Sequence, residues 1–187
     1  MPTTFKPPFL GLMQQPNPAT PTPQGSGATA YAGPGDLGTL DVSFALYPSY
    51  TLSGATDVGF QTDSWSSPSI VARPTGTFSS GTVDLVSGFL HMQSGNGLEL
   101  AILTFTAPTA DNYTFAGRFA DQDVAGGGGV EVEAVLGNGI VLLPVKFMPA
   151  VSSPVAIKFL SSLAAGEKVY FALGANGSYD FDSTVSG

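Results

Sequence analysis

Four of the aspartates in this chain stand in two i, i+2 pairs, Asp121 with Asp123 and Asp180 with Asp182. Carboxylates at that spacing in loops are the oxygen donors a hard cation such as calcium takes, with backbone carbonyls completing the shell. Aspartate is also an ordinary turn residue, and plain acidic loops are the more common reading of such positions. The EF-hand spacing is absent.

The other groups able to do chemistry are few. His91 is the sole histidine, with no second histidine to share a metal and no GxSxG elbow in the chain to serve. It reads as a structural hydrogen-bonding residue. Glu131 and Glu133 share one face of a strand pattern, and Glu99 stands on another strand. A facing carboxylate pair hydrolyses glycosidic bonds, but two glutamates spaced by two are also how a solvent-facing strand looks, and no catalytic residue is assigned. Trp65, Tyr47, Tyr50 and Tyr179 are the aromatics that can offer a flat stacking platform, with Trp65 and Tyr179 the foremost glycan-facing candidates; core or interface anchoring is the competing use. The run Gly126–Gly129 lacks the Lys-Ser/Thr of a phosphate loop, and reads as a flexible connection or a place where another backbone approaches closely.

These groups need a scaffold. The 187 residues suit one domain plus an appendage. Charged residues make up only 11% against the ~25% usual in soluble domains, with 24 glycines, a composition common in β-rich extracellular and virion proteins. With six basic residues and a net charge of −8, the chain cannot neutralise a phosphate backbone, so nucleic acid is not an expected partner. Anionic membrane surfaces are disfavoured for the same reason. The absence of cysteine excludes disulfides, zinc–thiolate sites and thiol catalysis. No run approaches the ~20 apolar residues of a membrane span. The apolar stretch FLGLM falls short of a signal-peptide core, so a cytoplasmically made chain is expected, or a mature product with its leader removed.

Residues 1–38 hold eight of the fifteen prolines and only two charges, Lys6 and Asp36. Proline removes a backbone donor and locks φ, so this segment is expected to form an extended arm with no helix or interior strand. Its apolar residues Phe5, Phe9, Leu10, Leu12, Met13 and Tyr31 are more than a solvated tail needs, and point to an arm that docks on a partner.

From residue 39 onward, turn signals recur every 8–14 residues and the intervening segments alternate with period two. Strands are expected over 41–47, 51–60, 69–73, 82–92 (one or two, with a bend at Gly88), 98–106, 113–120, 130–136, 140–147, 155–160 and 168–173. Within 130–136, Val130, Val132, Ala134 and Leu136 should face inward, with Glu131 and Glu133 out to solvent. Tyr113, Phe115 and Phe119 should likewise point in. Gly137-Asn138-Gly139 is a hairpin turn. Residues 161–165 are the one short helical candidate. The pattern gives an all-β, jelly-roll-type antiparallel β-sandwich over 39–187, carrying an extended Pro-rich N-terminal arm.

Several stretches, taken in order, resemble the lectin-like, carbohydrate-binding-module-like jelly rolls of bacterial surface and secreted proteins. They are Leu90-His91 before a Gly/Asn turn, TFTAP at Thr104–Pro108, YTFAGRFADQD at Tyr113–Asp123, the glycine run, VEVEAVLGNG at Val130–Gly139, and LAAGEKVYFALGANGSYDFDST at Leu163–Thr184. The lone Trp65 stands where such modules often carry a tryptophan. The resemblance implies a jelly-roll sandwich of a kind that hosts many binding roles and some purely structural ones, and the arm has no counterpart in it.

Two functions are expected. The first is a non-enzymatic accessory protein of a tailed-phage virion, a head decoration or head fibre, held on other virion proteins by its arm and paired or trimerised with its own copies. The alternative is an extracellular or cell-surface carbohydrate-binding module, with calcium as a candidate ion.

Overall fold

The computed structural model describes residues 29–34, 45–46, 50–51, 58–61, 69–73, 77–80, 83–86, 89–94, 99–121, 128–149, 154–176 and 183–186, with side chains described at 91–94, 100–120, 128–149 and 154–176. All the regular structure in them is strand. In chain order the strands are β1 (Thr29–Pro34), β2 (Ala45–Leu46), β3 (Tyr50–Thr51), β4 (Val58–Gln61), β5 (Ser69–Arg73), β6 (Thr77–Ser80), β7 (Val83–Val86) and β8 (Phe89–Gln93). They continue as β9 (Glu99–Thr106), β10 (Asp111–Asp121), β11 (Val130–Leu136), β12 (Val141–Met148), β13 (Val155–Leu163), β14 (Lys168–Ala175) and β15 (Ser183–Ser186).

Two sheets form the sandwich, one ordered β12-β11-β14-β9-β1-β2 and the other β13-β10-β15-β8-β5-β4-β3, while β6 and β7 pair as a separate hairpin. Every pairing described is antiparallel. From β8 to β15 the chain changes sheet at each step except β11 to β12. It can therefore be drawn as one long hairpin, β8 against β15, β9 against β14, β10 against β13 and β11 against β12, rolled into two layers. That is a jelly roll. β1–β2 and β5–β4–β3 extend its two sheets.

The tip of the rolled hairpin is local chemistry. Gly139 N–H donates to the Leu136 carbonyl at 2.9 Å, Leu136 N–H donates to the Ile140 carbonyl at 2.8 Å, and Gly139 sits at φ 84°. This is a three-residue loop whose last position needs the left-handed region that glycine occupies without strain. The 164–167 turn packs beside it, donating from Gly166 N–H to the Ala107 carbonyl and accepting Ala107 N–H at the Glu167 carbonyl. Of the helical candidate 161–165, the first three residues are the end of β13 and the last two belong to the 164–167 turn.

Alternation fills the space between the sheets. Ala101, Leu103 and Phe105 of β9, Val130, Val132, Ala134 and Leu136 of β11, and Val169, Phe171 and Leu173 of β14 meet Tyr113, Phe115 and Phe119 of β10 and Ile157 and Leu163 of β13. Phe115 is the hub, with ring centroids 5.4 Å from Phe105, 5.0 Å from Phe159 and 5.7 Å from Phe171. Buried Tyr113 keeps its polar end satisfied: its hydroxyl donates to the Thr109 carbonyl at 2.7 Å, tying the 107–110 loop to the core. Tyr113→Phe should therefore cost about 0.5–1.5 kcal/mol, the net worth of one such bond, read as a shifted denaturation midpoint at constant m-value.

The outer strands β12 and β13 close the open sides. β12 carries Pro144 and a register shift between Val132 and Ala134 of its partner, both of which interrupt a free edge. Lys146 Nζ donates to the Ala156 carbonyl at 3.2 Å, bridging the two sheet edges.

Two sequence expectations need correction. The proline-rich segment does contain an interior strand: Thr29–Pro34 lies between β9 and β2, with Tyr31 opposite Ile102 on one side and Leu46 on the other. No proline falls between Pro23 and Pro34, so the backbone donors that a ladder needs are present there. Glu133, expected in solvent, is buried at 1% exposure. Alternation placed it on the outward face of its sheet, but that face is itself covered.

Candidate functional site

The ladders divide the sandwich into two ends. At one lie the Gly137–Gly139 tip and the 107–110 and 164–167 loops. At the other, β8, β10, β12 and β14 end and β9, β11, β13 and β15 begin, as the pairs Ser183 with Gln93, Asp121 with Thr184, Val130 with Met148 and with Ala175, and Phe119 with Val155 require. The Gly-rich connection opens from this second end, which is the candidate site.

Asp121 is the last residue of β10 and stands opposite Thr184 of β15. In sequence, Asp123 follows β10 by two residues and Asp182 directly precedes β15. The two acidic runs thus leave from neighbouring strands of one sheet, although β10 and β15 are far apart in the chain. Asp123, Asp180 and Asp182 lie outside the described residues, as do Trp65, Tyr47 and Tyr179. Among the described residues, no three His, Asp or Glu side chains gather to hold a metal ion.

Three features mark this end, of which the Asn176 anchor and the buried Ser94 have no signal in the sequence motifs. Gly128 and Gly129 are held down by Asn176, whose backbone N–H donates to the Gly129 carbonyl and whose Nδ2 donates to the Gly128 carbonyl, both at 3.2 Å. Gly129 is buried at φ 80°, a left-handed conformation that glycine adopts without strain. Ser94, just beyond β8, is fully buried, and its Oγ has no hydrogen-bond partner among the described residues. A buried hydroxyl left unpaired is uncommon in a folded chain.

The remaining candidates fall elsewhere. His91 is buried in the middle of β8, between Val185 of β15 and Val71 of β5. Glu99 opens β9 opposite Pro34, and Tyr50 opens β3 opposite Phe60. Glu131 is half-buried and pairs with Phe147, two positions from sealed Glu133. Of the arm residues, Phe5, Phe9, Leu10, Leu12 and Met13 lie outside the described residues.

No protein-family model matches this sequence, and neither does any curated protein. Among solved structures, the chain is similar to a GH26-CBM35 β-(1,4)-mannanase of Podospora anserina, at 20% identity and TM-score 0.33, over 70% of this chain and 27% of that one. It is also similar to an isomalto-dextranase of Arthrobacter globiformis T6 complexed with panose, at 14% identity and TM-score 0.35, over 89% of this chain and 23% of that one. The chain thus spans about a quarter of the length of each.

Proposed function

We propose that this chain is a non-catalytic carbohydrate-binding module that takes glycan at the loop end of its jelly roll. Asp121, Asp123, Asp180 and Asp182 would supply the oxygens for a calcium ion there, and Trp65 or Tyr179 the stacking surface for a sugar ring. The observation that carries the reading is the β10–β15 ladder, which sets Asp121 opposite Thr184 and so starts the two acidic runs from adjacent strands. Two further features support it: Asn176 holds Gly128 and Gly129 at that end, and the segments that carry the resemblance to lectin-like modules form β9, β10, β11 and β14 of a jelly roll. Hydrolysis by Glu131 and Glu133 is the weaker reading, because a carboxylate at 1% exposure has no route to a glycosidic oxygen. The virion reading rests on Phe5, Phe9, Leu10, Leu12 and Met13, and no feature of the described sandwich favours it.

A glycan array probed with the full chain, with added calcium and then with a chelator, tests this. Binding that the chelator abolishes, and that Asp121→Ala weakens at least tenfold, is the expected result. An array without signal under both conditions would overturn the proposal. Signal that persists through chelation would remove calcium and leave the aromatic platform, to be tested by Trp65→Ala and Tyr179→Ala.

A further inference from the structure

The tip of the rolled hairpin carries a reactive pair. Asparagine is a chemically labile residue, and it is most so before glycine, where no side chain shields the next backbone nitrogen. The chain holds Asn96-Gly97, Asn138-Gly139 and Asn176-Gly177, and of these only the tip pair lies wholly within the described residues. Asn138 and Gly139 are both exposed. Beyond the chain neighbours, no atom lies within 4 Å of where a Gly139 side chain would stand, so water reaches the pair freely.

The side chain is already oriented. Asn138 Oδ1 accepts the Ile140 N–H at 3.1 Å, an Asx turn that curls the amide forward along the chain toward the Gly139 nitrogen. The same oxygen is where negative charge collects when a nucleophile adds to the amide carbon, so the Ile140 N–H is aimed at the charge that develops. One contact opposes the reaction. Gly139 N–H donates to the Leu136 carbonyl at 2.9 Å, and that bond must break before the nitrogen can attack. A single neutral bond at an exposed turn slows the step by about tenfold at most. Asn112 is the contrast: it is exposed too, but its Oδ1 accepts the Ser162 hydroxyl and it precedes Tyr113, which is buried in the core.

We propose that Asn138 is a site of spontaneous deamidation in the folded protein, with water as the only co-reactant. The Gly139 nitrogen gives up its proton and attacks the Asn138 side-chain carbonyl carbon. The new C–N bond closes a five-membered imide as Nδ2 leaves with a proton as ammonia. Water then opens the ring at either carbonyl. Attack at the side-chain carbon restores the main chain with aspartate at 138. Attack at the main-chain carbon routes the chain through the side chain as isoaspartate. Either product adds one negative charge to a chain already at −8, and isoaspartate also lengthens a three-residue loop. The tip lies at the opposite end of the sandwich from Asp121 and Thr184, so this inference is independent of the glycan reading.

The test is timed incubation of the full folded chain in mildly alkaline buffer, followed by trypsin digestion and mass spectrometry. Cleavage after Arg118 and Lys146 releases residues 119–146, in which Asn138 is the sole asparagine. Fragment ions should place the amide-to-acid mass change at 138, as a mixture of isoaspartate and aspartate. The rate should lie within about tenfold of that of the free 119–146 peptide in the same buffer. Asn112 should stay intact over the same period, and Asn138→Gln should leave 119–146 unchanged. A folded chain that reacts more than about tenfold slower than the peptide would overturn the proposal, because the Leu136 bond would then hold the nitrogen shut. A product of aspartate alone would overturn the imide route, since direct hydrolysis gives no isoaspartate. A mass change that persists in Asn138→Gln would overturn the assignment to this residue.

Discussion

Phe115→Ala is expected to remove about 3–5 kcal/mol of stability, the range for deleting a buried aromatic ring. Phe115 is 2% exposed, and its ring packs edge-on against Phe105, stacks on Phe159 and tilts against Phe171, so three strands of both sheets lose a shared partner. The cavity cannot close easily, because its walls are strands held at fixed spacing by ladders on either side. Against a typical total of ~5–15 kcal/mol, the loss leaves a marginal fold. Thermal unfolding should move down by roughly 6–20 °C, taking ~2–4 °C per kcal/mol for a chain of this size. Phe115→Leu, which refills most of the volume, should recover much of it. Equal midpoints for wild type and Phe115→Ala would show that the ring is not at the centre of the core.

Glu133 should give the second large effect, and one whose pattern is diagnostic. Its carboxylate is buried at 1% exposure on the outward face, beside Ala172, and it has an interaction partner. Glu133→Ala deletes the group and strands that partner in a dry site, at an expected cost of about 2–4 kcal/mol. Glu133→Gln keeps the shape and most of the hydrogen-bonding capacity, and should cost less than half as much. Glu133→Leu removes the desolvation burden with the charge and should fall between wild type and Ala. Chemical denaturation of the three variants reads the order directly. If Ala and Leu were both as stable as wild type, the carboxylate would be in water and the outward face open.

The behaviour of Glu133 shows where a period-two pattern stops being informative. In VEVEAVL the alternation correctly divides Val130, Val132, Ala134 and Leu136 from Glu131 and Glu133. Whether the second face meets water depends on what else is laid over it, and no spacing within the strand encodes that. The same holds for Leu100 and Ile102, which a run such as LELAILTFT leaves unsorted between one buried face and two. β1 was masked by composition for a different reason: proline density over the first 38 residues is high, but residues 24–33 hold none, and 29–33 of them supply most of the ladder with β9.

The candidate site divides along the same line. Aspartates at i, i+2 and a glycine run are visible in the linear sequence because turn chemistry is local. That the segments carrying the two acidic runs leave from adjacent strands depends on β10 meeting β15, a pairing between strands far apart in the chain. Asn176 closing on Gly128 and Gly129 depends on β14 lying beside β11.

By itself, then, the sequence determined β5 and the strands from β8 to β14, the Gly137-Asn138-Gly139 tip and the residues of those strands that face inward, because alternation and turn propensity act over a few neighbours; β1, β6 and β15 were not among the expected strands. Only the tertiary structure decided which strands pair at long range, that β10 ends beside the start of β15, and which outward face is buried. Those outcomes come from the burial of whole sheets against one another, and that free energy is a property of the assembled layers.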